Sequence, residues 1–236
     1  MDAVTGLMER FRHWRAREAE KLRGMTLPKK IGYVLTYYKG WFLGLLVLAL
    51  FTGYAVDVVV QNQKETVLLG FFTNDQQDYF PAGRLQRDIA DYLELGKDQR
   101  VIFDDDLYVD LHGEAVEYTA ASNGKIIAYI STASLDFVVT TGEVYRHFAQ
   151  DVPLLDLSQL LPQDVYDRLA PYIAASPDPA GEAGDVPGAI ELSQSRFLRE
   201  AGLPEGSYYL FVPYNAPHTQ ALCDFIQYCF PAEPSD

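Results

Sequence analysis

Asp104-Asp105-Asp106, with Asp110 four residues on, is the densest run of hard oxygen ligands in this 236-residue chain. A calcium loop of the EF-hand type needs oxygens at alternating positions, a glycine at the sixth and a glutamate at the twelfth. Counted from Asp104, those two positions hold Val109 and Ala115, so the pattern fails and a solvated acidic turn is expected. His112, His147 and His218 share no metal-ligand spacing with one another or with Cys223 and Cys229. Metalloprotease, nucleophile-elbow, phosphate-loop and dinucleotide fingerprints are all missing from the sequence. The chain holds 33 Asp and Glu, so carboxylate pairs for hydrolysis can be drawn almost anywhere, and no spacing selects one. A hydrolase working through such carboxylates is therefore the weakest reading. No catalytic residue, metal or cofactor is expected. Cys223 and Cys229 sit six apart on one predicted helix, about 9 Å along its axis. That exceeds disulfide reach unless the helix end unravels, so two buried thiols are expected, with a frayed-end disulfide as the alternative.

What remains is binding chemistry, and it depends on the elements that carry it. Thr66 to Phe72 is a continuous apolar run of strand length, closed by the polar Thr73-Asn74-Asp75. A helix from Pro81 with Leu85, Ile89, Tyr92 and Leu93 on one face, ended by Gly96, follows. Short strands are predicted over 100–103 and 107–109, then a helix over 114–132 with Val116, Ala120, Ile127 and Ile130 inward. Leu135 to Thr140 reads as a buried strand, Gly142 to Gln150 as a short helix, and a further helix starts at Pro162. The Pro- and Gly-rich stretch 176–188 is expected to be a mobile surface loop. Tyr208 to Val212 is a last strand, and the closing helix buries Ala221, Leu222, Phe225 and Ile226. Strands separated by helices argue for an α/β domain with a mostly parallel sheet. In such a sheet ligands sit beyond the carboxyl ends of the strands. The candidate ligand-binding residues are thus Thr73, Asn74 and Asp75, then Thr140, Thr141 and Gly142, then Tyr214 and Asn215. Thr141 and Gly142 would open a helix, where free amides favour an anion or a polar oxygen. The plain alternative is that all of them are caps and turns.

Trp41 to Val60 decides the setting. From Trp41 to Val56 there is no charge, and Thr52 is the one strongly polar side chain; Asp57 interrupts only near the far end. Twenty residues at about 1.5 Å each reach about 30 Å, the hydrocarbon thickness of a bilayer. Forty residues ahead of the run are too many for the leader of a cleaved signal, so a retained span is expected. Residues 1–40 hold nine Lys and Arg against four acids, whereas residues 61–236 hold ten against 28. Basic flanks stay in the cytoplasm, which puts the N-terminus inside and the acidic domain outside. Tyr37, Tyr38 and Trp41 suit an inner aromatic belt and Tyr54 an outer one. Val4, Leu7, Met8, Phe11, Trp14 and Leu22 recur at helical spacing with arginines between them. That pattern fits a helix lying on the anionic inner leaflet or packed on a partner. Gly24 would end it, and Thr26 would cap a second helix with Pro28 in its first turn. So short and acid-diluted a basic segment is a poor nucleic-acid module.

LDFVVTTGEVYRHFAQDVPLLDLSQLLP resembles a stretch of bacterial extracytoplasmic solute-binding proteins, in which a strand, a small polar turn and a short helix precede an L-D-L…L-P run. VPYNAPHTQALCDFIQYCF is similar to their C-terminal turn and helix, and AIELSQSRFLREAG fits the strand and helix before that turn. The basic N-terminus with Tyr37-Tyr-Lys-Gly-Trp41 resembles that of short single-pass membrane proteins of Gram-positive bacteria carrying such a domain. Residues 64–230 are covered. The resemblance implies one solute-binding-like α/β lobe. A solute-binding protein closes two lobes on its ligand, and the chain length for a second is missing here. Hinge closure is accordingly not carried over.

The expected organisation is a cytoplasmic segment 1–40, a transmembrane helix 41–60 and an extracytoplasmic α/β domain 61–236. The expected function is a non-catalytic, membrane-anchored binding or accessory module. The alternative is a structural or assembly subunit of a membrane complex. Membrane lipid, together with a membrane protein or a small ligand outside the cell, are the expected partners.

Overall fold

The computed structural model describes residues 39–74, 82–113, 116–177, 185–201 and 207–232, with scattered positions ahead of residue 39. Val4, Leu7, Met8, Phe11, Trp14, Leu22, Tyr37, Tyr38, Asp75 and Pro81 lie outside the described residues. The chain divides into two compact units, 1–63 and 64–236. In the first, residues 27–29 are helical directly after Thr26. Helix α1, Lys39–Asn62, is 24 residues long and has no buried side chain. At 1.5 Å per residue it measures about 36 Å. The mean hydropathy of its most apolar 18 residues is 2.2, and by length and composition it suits a membrane crossing. Thr52 returns its hydroxyl to the Leu48 carbonyl at 2.8 Å, which satisfies that hydroxyl within the helix.

The second unit is a mixed α/β domain. Strand β1, Glu65–Asn74, is buried from Leu68 to Thr73 on both faces, as an unbroken Val/Leu/Phe run requires. Helix α2, Ala82–Tyr92, buries Ala82, Leu85 and Ile89, while Tyr92 is half exposed rather than inward. Glu94, with φ of 49°, turns the chain out of α2; the Leu95 amide reaches back to the Ala90 carbonyl at 3.2 Å. Strand β2, Gln99–Tyr108, is one strand and not two. Phe71 pairs with Asp104 and Thr73 with Leu107, so Asp105 and Asp106 face a single residue of β1. The acidic triplet is therefore a β-bulge inside the strand, not a turn between strands.

Helix α3, Val116–Ser131, buries Ser122, Ile126 and Ile130. Val116, Ala120 and Ile127, expected inward, are exposed. The reason lies in Ser122, which accepts the Tyr108 amide at 2.9 Å and turns that side of the helix onto β2. Strand β3 is Phe137–Thr141 and helix α4 is Gly142–Asp151. Two short helices follow, α5 at Leu157–Leu160 and α6 at Gln163–Leu169, with Asp156 capping α5 through the Ser158 amide.

Residues 173–177 and 185–191 form strands β4 (Ile173–Pro177) and β5 (Asp185–Glu191), which pair antiparallel. The described ends of the stretch expected to be a mobile loop are thus sheet. Ser176 is fully buried with its hydroxyl on that of Tyr145, and Gly188 lets Leu154 approach where a Cβ would stand 2.6 Å from it. Helix α7 (Arg196–Ala201), strand β6 (Tyr208–Phe211) and helix α8 (Thr219–Cys229) complete the domain.

The six strands lie in the order β2-β1-β3-β6-β5-β4. The pairs β1–β2 and β1–β3 are parallel, while β3–β6, β6–β5 and β5–β4 are antiparallel. One face of the sheet, with Leu68, Phe72, Phe103 and Phe137, packs against side chains of α2, α6 and α8. The other, with Leu69, Phe71, Val138 and Phe211, packs against α3 and α4.

Candidate functional site

Strand β1 lies between β2 and β3, so the chain leaves it to opposite sides, and the carboxyl ends of β1 and β3 form a topological switch point. Thr73 and Thr140 meet there. The Thr73 hydroxyl donates to that of Thr140 at 2.6 Å, and both side chains are buried. Asn74 donates its amide to the Asp105 carbonyl, and its own carbonyl accepts from Val109 at 3.0 Å. A carboxylate oxygen of Asp105 accepts the Ala82 amide at 3.0 Å and so fixes the start of α2 to the bulge.

Thr141 is the cap residue of α4 but makes no side-chain cap bond, and the Gly142 amide donates to the Ser207 carbonyl at 3.0 Å. Gly142 is needed because Tyr209 lies where a Cβ would stand, 2.9 Å from its ring, while that ring stacks on Tyr145 at 4.9 Å. Around this edge, His112 and Glu143 form an exposed pair at 2.5 Å. Asp110 accepts the His112 amide at 2.9 Å and the Tyr108 hydroxyl at 3.2 Å. The His112 amide, above all, holds the Asp110 carboxyl below its ordinary value of 3.8.

Tyr214 and Asn215 are not at this edge. Strand β6 runs antiparallel to β3, so its carboxyl end lies where β3 begins. Asn215 donates to the Ile130 carbonyl at 2.7 Å and caps the end of α3, while Tyr214 is exposed. The structure therefore brings Thr73, Asn74, Thr140, Thr141 and Gly142 together and separates Tyr214 and Asn215 from them. Asp75 lies outside the described residues.

Asp136, which sequence reasoning passed over, organises the opposite edge together with His218, weighed there only as a metal ligand. Asp136 is fully buried, and its carboxylate accepts the Leu69 amide at 2.7 Å, the His218 amide at 2.9 Å and the His218 Nδ1 at 2.9 Å. It joins β1, the start of β3 and the start of α8. A lone carboxylate inside Leu135-Asp136-Phe137-Val138 was the available signal, because a buried acid needs partners. Bonding through Nδ1 leaves Nε2 of His218 for proton transfer, but among the described residues no hydroxyl or thiol hydrogen-bonds to this imidazole.

Asp104 forms an ion pair with Lys125 at 2.5 Å, and Asp105 is turned toward α2, so the acidic triplet diverges. Among the described residues no three His, Cys, Asp or Glu converge as metal ligands. Cys223 and Cys229 are both buried and unpaired, and burial raises both thiols above their ordinary value of 9.0. Neutral buried thiols are poor nucleophiles. Compared with protein-family models, curated proteins and solved structures, the chain matches none.

Proposed function

We propose that this chain is a membrane-anchored, non-catalytic binding or accessory module that holds an acidic α/β domain outside the cytoplasm. The carrying observation is α1: 24 residues, free of charge from Gly40 to Val56, with no side chain buried. Water does not tolerate so large an exposed apolar surface, and a bilayer covers it at the right length. The charge contrast of nine Lys and Arg against four acids before the helix and ten against 28 after it supports the orientation. The switch point at Thr73, Thr140 and Thr141 is where an open α/β sheet takes a ligand, consistent with one lobe of a solute-binding-type protein. Protease added to intact cells should remove residues 64–236 and spare the N-terminus; protection of the domain until the membrane is opened would refute the reading.

A second reading, a structural subunit of a membrane complex, is favoured by the outer face of α3. There Val116 and Tyr118 are each 71% exposed, and Ile127 42%. Mild-detergent purification of the full chain at native expression separates the two. A stable heteromeric complex lost on Tyr118→Glu supports the subunit reading, whereas recovery as a single species supports the binding module.

A further inference from the structure

Between Trp41 and Val60 helix α1 carries one charge, Asp57, and among the described residues no ion pair reaches it. A crossing that stopped at Tyr54 would span about 21 Å, well short of a hydrocarbon thickness of about 30 Å. Val58, Val59 and Val60 are needed to complete it, and they carry Asp57 into the apolar layer with them. Side chains on a helix lean toward its N-terminus. With the N-terminus inside the cell, the short Asp57 carboxylate is aimed deeper into the layer and not out to water. Ala49 and Gly53 precede it at four-residue spacing and share its stripe. A Cβ at Gly53 would meet nothing within 4 Å. The described chain therefore has no packing need for glycine there, although glycine weakens a helix interior.

A carboxylate within hydrocarbon is costly and finds its partner on a neighbouring span. A second copy in the same orientation is the wrong partner, because it brings another carboxylate to the same depth, where like charges repel strongly. Charge complementarity instead calls for a basic side chain. Small residues on the same stripe let the backbone of a second helix come close enough for that pairing. We infer that the stripe of Ala49, Gly53 and Asp57 docks a membrane span of another protein, one that carries a lysine or arginine level with Asp57. The inference rests on the membrane reading of α1 and names the chemistry of the neighbour that reading leaves open. Gly44 stands nine residues before Gly53, about two and a half turns away, and so lies on the opposite side of the helix.

The test uses the full chain in phosphatidylcholine vesicles with a synthetic leucine-alanine span as the guest. The guest carries one lysine at the depth of Asp57 and a dansyl group at one end, and energy transfer from the chain's tryptophans reads association. Its rival has norleucine in place of the lysine. The lysine guest should associate saturably and about tenfold more tightly than the norleucine guest. Asp57→Leu should abolish that preference, and Asp57→Lys should transfer it to a guest carrying glutamate. Gly53→Leu should weaken association, whereas Gly44→Leu, on the far side, should leave it unaltered. Equal binding of the two guests, an undiminished preference in Asp57→Leu, or self-association of the chain that Asp57→Leu abolishes would each overturn the pairing. Insertion is read separately, by flotation of the chain with carbonate-washed vesicles. A chain that does not float refutes the membrane reading and the pairing with it; a chain that floats yet ignores the lysine guest refutes the pairing alone.

Discussion

Replacing Asp136 by alanine should cost this domain a large part of its stability. The carboxylate is fully buried and receives three donors: the Leu69 amide at 2.7 Å, the His218 amide at 2.9 Å and the His218 Nδ1 at 2.9 Å. Leu69 lies in the sheet interior, so its amide would have no substitute, at about 1–3 kcal/mol for a buried orphan donor. His218 keeps about a third of its side chain in solvent and would recover part of its loss from water. Together these put Asp136→Ala at about 3–5 kcal/mol, the usual cost of removing one partner from a buried pair. For a domain of this size that lowers Tm by about 6–20 °C. Asp136→Asn retains the shape and one acceptor oxygen, and should cost less than half as much. Chemical denaturation of the full chain, followed by near-UV circular dichroism, reads the effect. A double-mutant cycle of Asp136→Asn with His218→Ala should give a coupling of about 1 kcal/mol or more. An Asp136→Ala chain within about 1 kcal/mol of wild type, or strictly additive losses in the cycle, would show that the carboxylate does not clasp these elements.

Three further expectations can be checked with the same melts. Gly70→Ala would set a Cβ 2.1 Å from the Phe137 ring, which is itself stacked on Phe225 at 4.6 Å; it should destabilise by about 1–3 kcal/mol, and Phe137→Leu in the same chain should recover part of that. Thr73→Val or Thr140→Val alone strands the other hydroxyl and should cost about 1–2 kcal/mol, whereas the double valine chain should lie near wild type. The contribution of Cys223, Cys229 and Tyr145 to stability should be fully present below the ordinary thiol value of 9.0 and fall as pH rises above it, because burial raises all three and the unfolded chain releases those protons first. Cys229→Ala should flatten that alkaline loss in a Tm series from about pH 7 to about pH 11, and an unchanged slope would contradict the burial of the thiol.

The parts of the fold that were legible in the chain are those in which local pattern and burial agree. The unbroken run from Thr66 to Phe72 is β1, the apolar run around Trp41 to Val60 is α1, and Leu222, Phe225 and Ile226 are the inward face of α8. Misreadings arose where a distant partner overrides the local signal. Asp104-Asp105-Asp106 has turn chemistry, but Lys125 neutralises Asp104 and the start of α2 occupies Asp105, so the strand continues. Val116, Ala120 and Ile127 share a helical face as well as Ser122, Ile126 and Ile130 do; the Tyr108 amide on Ser122 decides between them. Prolines and glycines in 176–188 suggested a loop, whereas the Tyr145 hydroxyl and the close approach of Leu154 hold its ends in the sheet. At the candidate site, the order of residues along the chain placed Thr73 and Thr140 together correctly. Strand direction has no local code, and the reversal at β6 carries Tyr214 and Asn215 to the far edge.

The acidic bulge of β2 has a consequence for how these molecules meet one another. Strand β2 is an outer strand of the sheet, and an outer strand exposes a row of amides and carbonyls to which any extended segment could add. Two of the three aspartates there, Asp105 and Asp106, stand in an irregular step and break the even spacing that such addition needs. An extended segment of another chain is thereby denied an even row of partners along this rim.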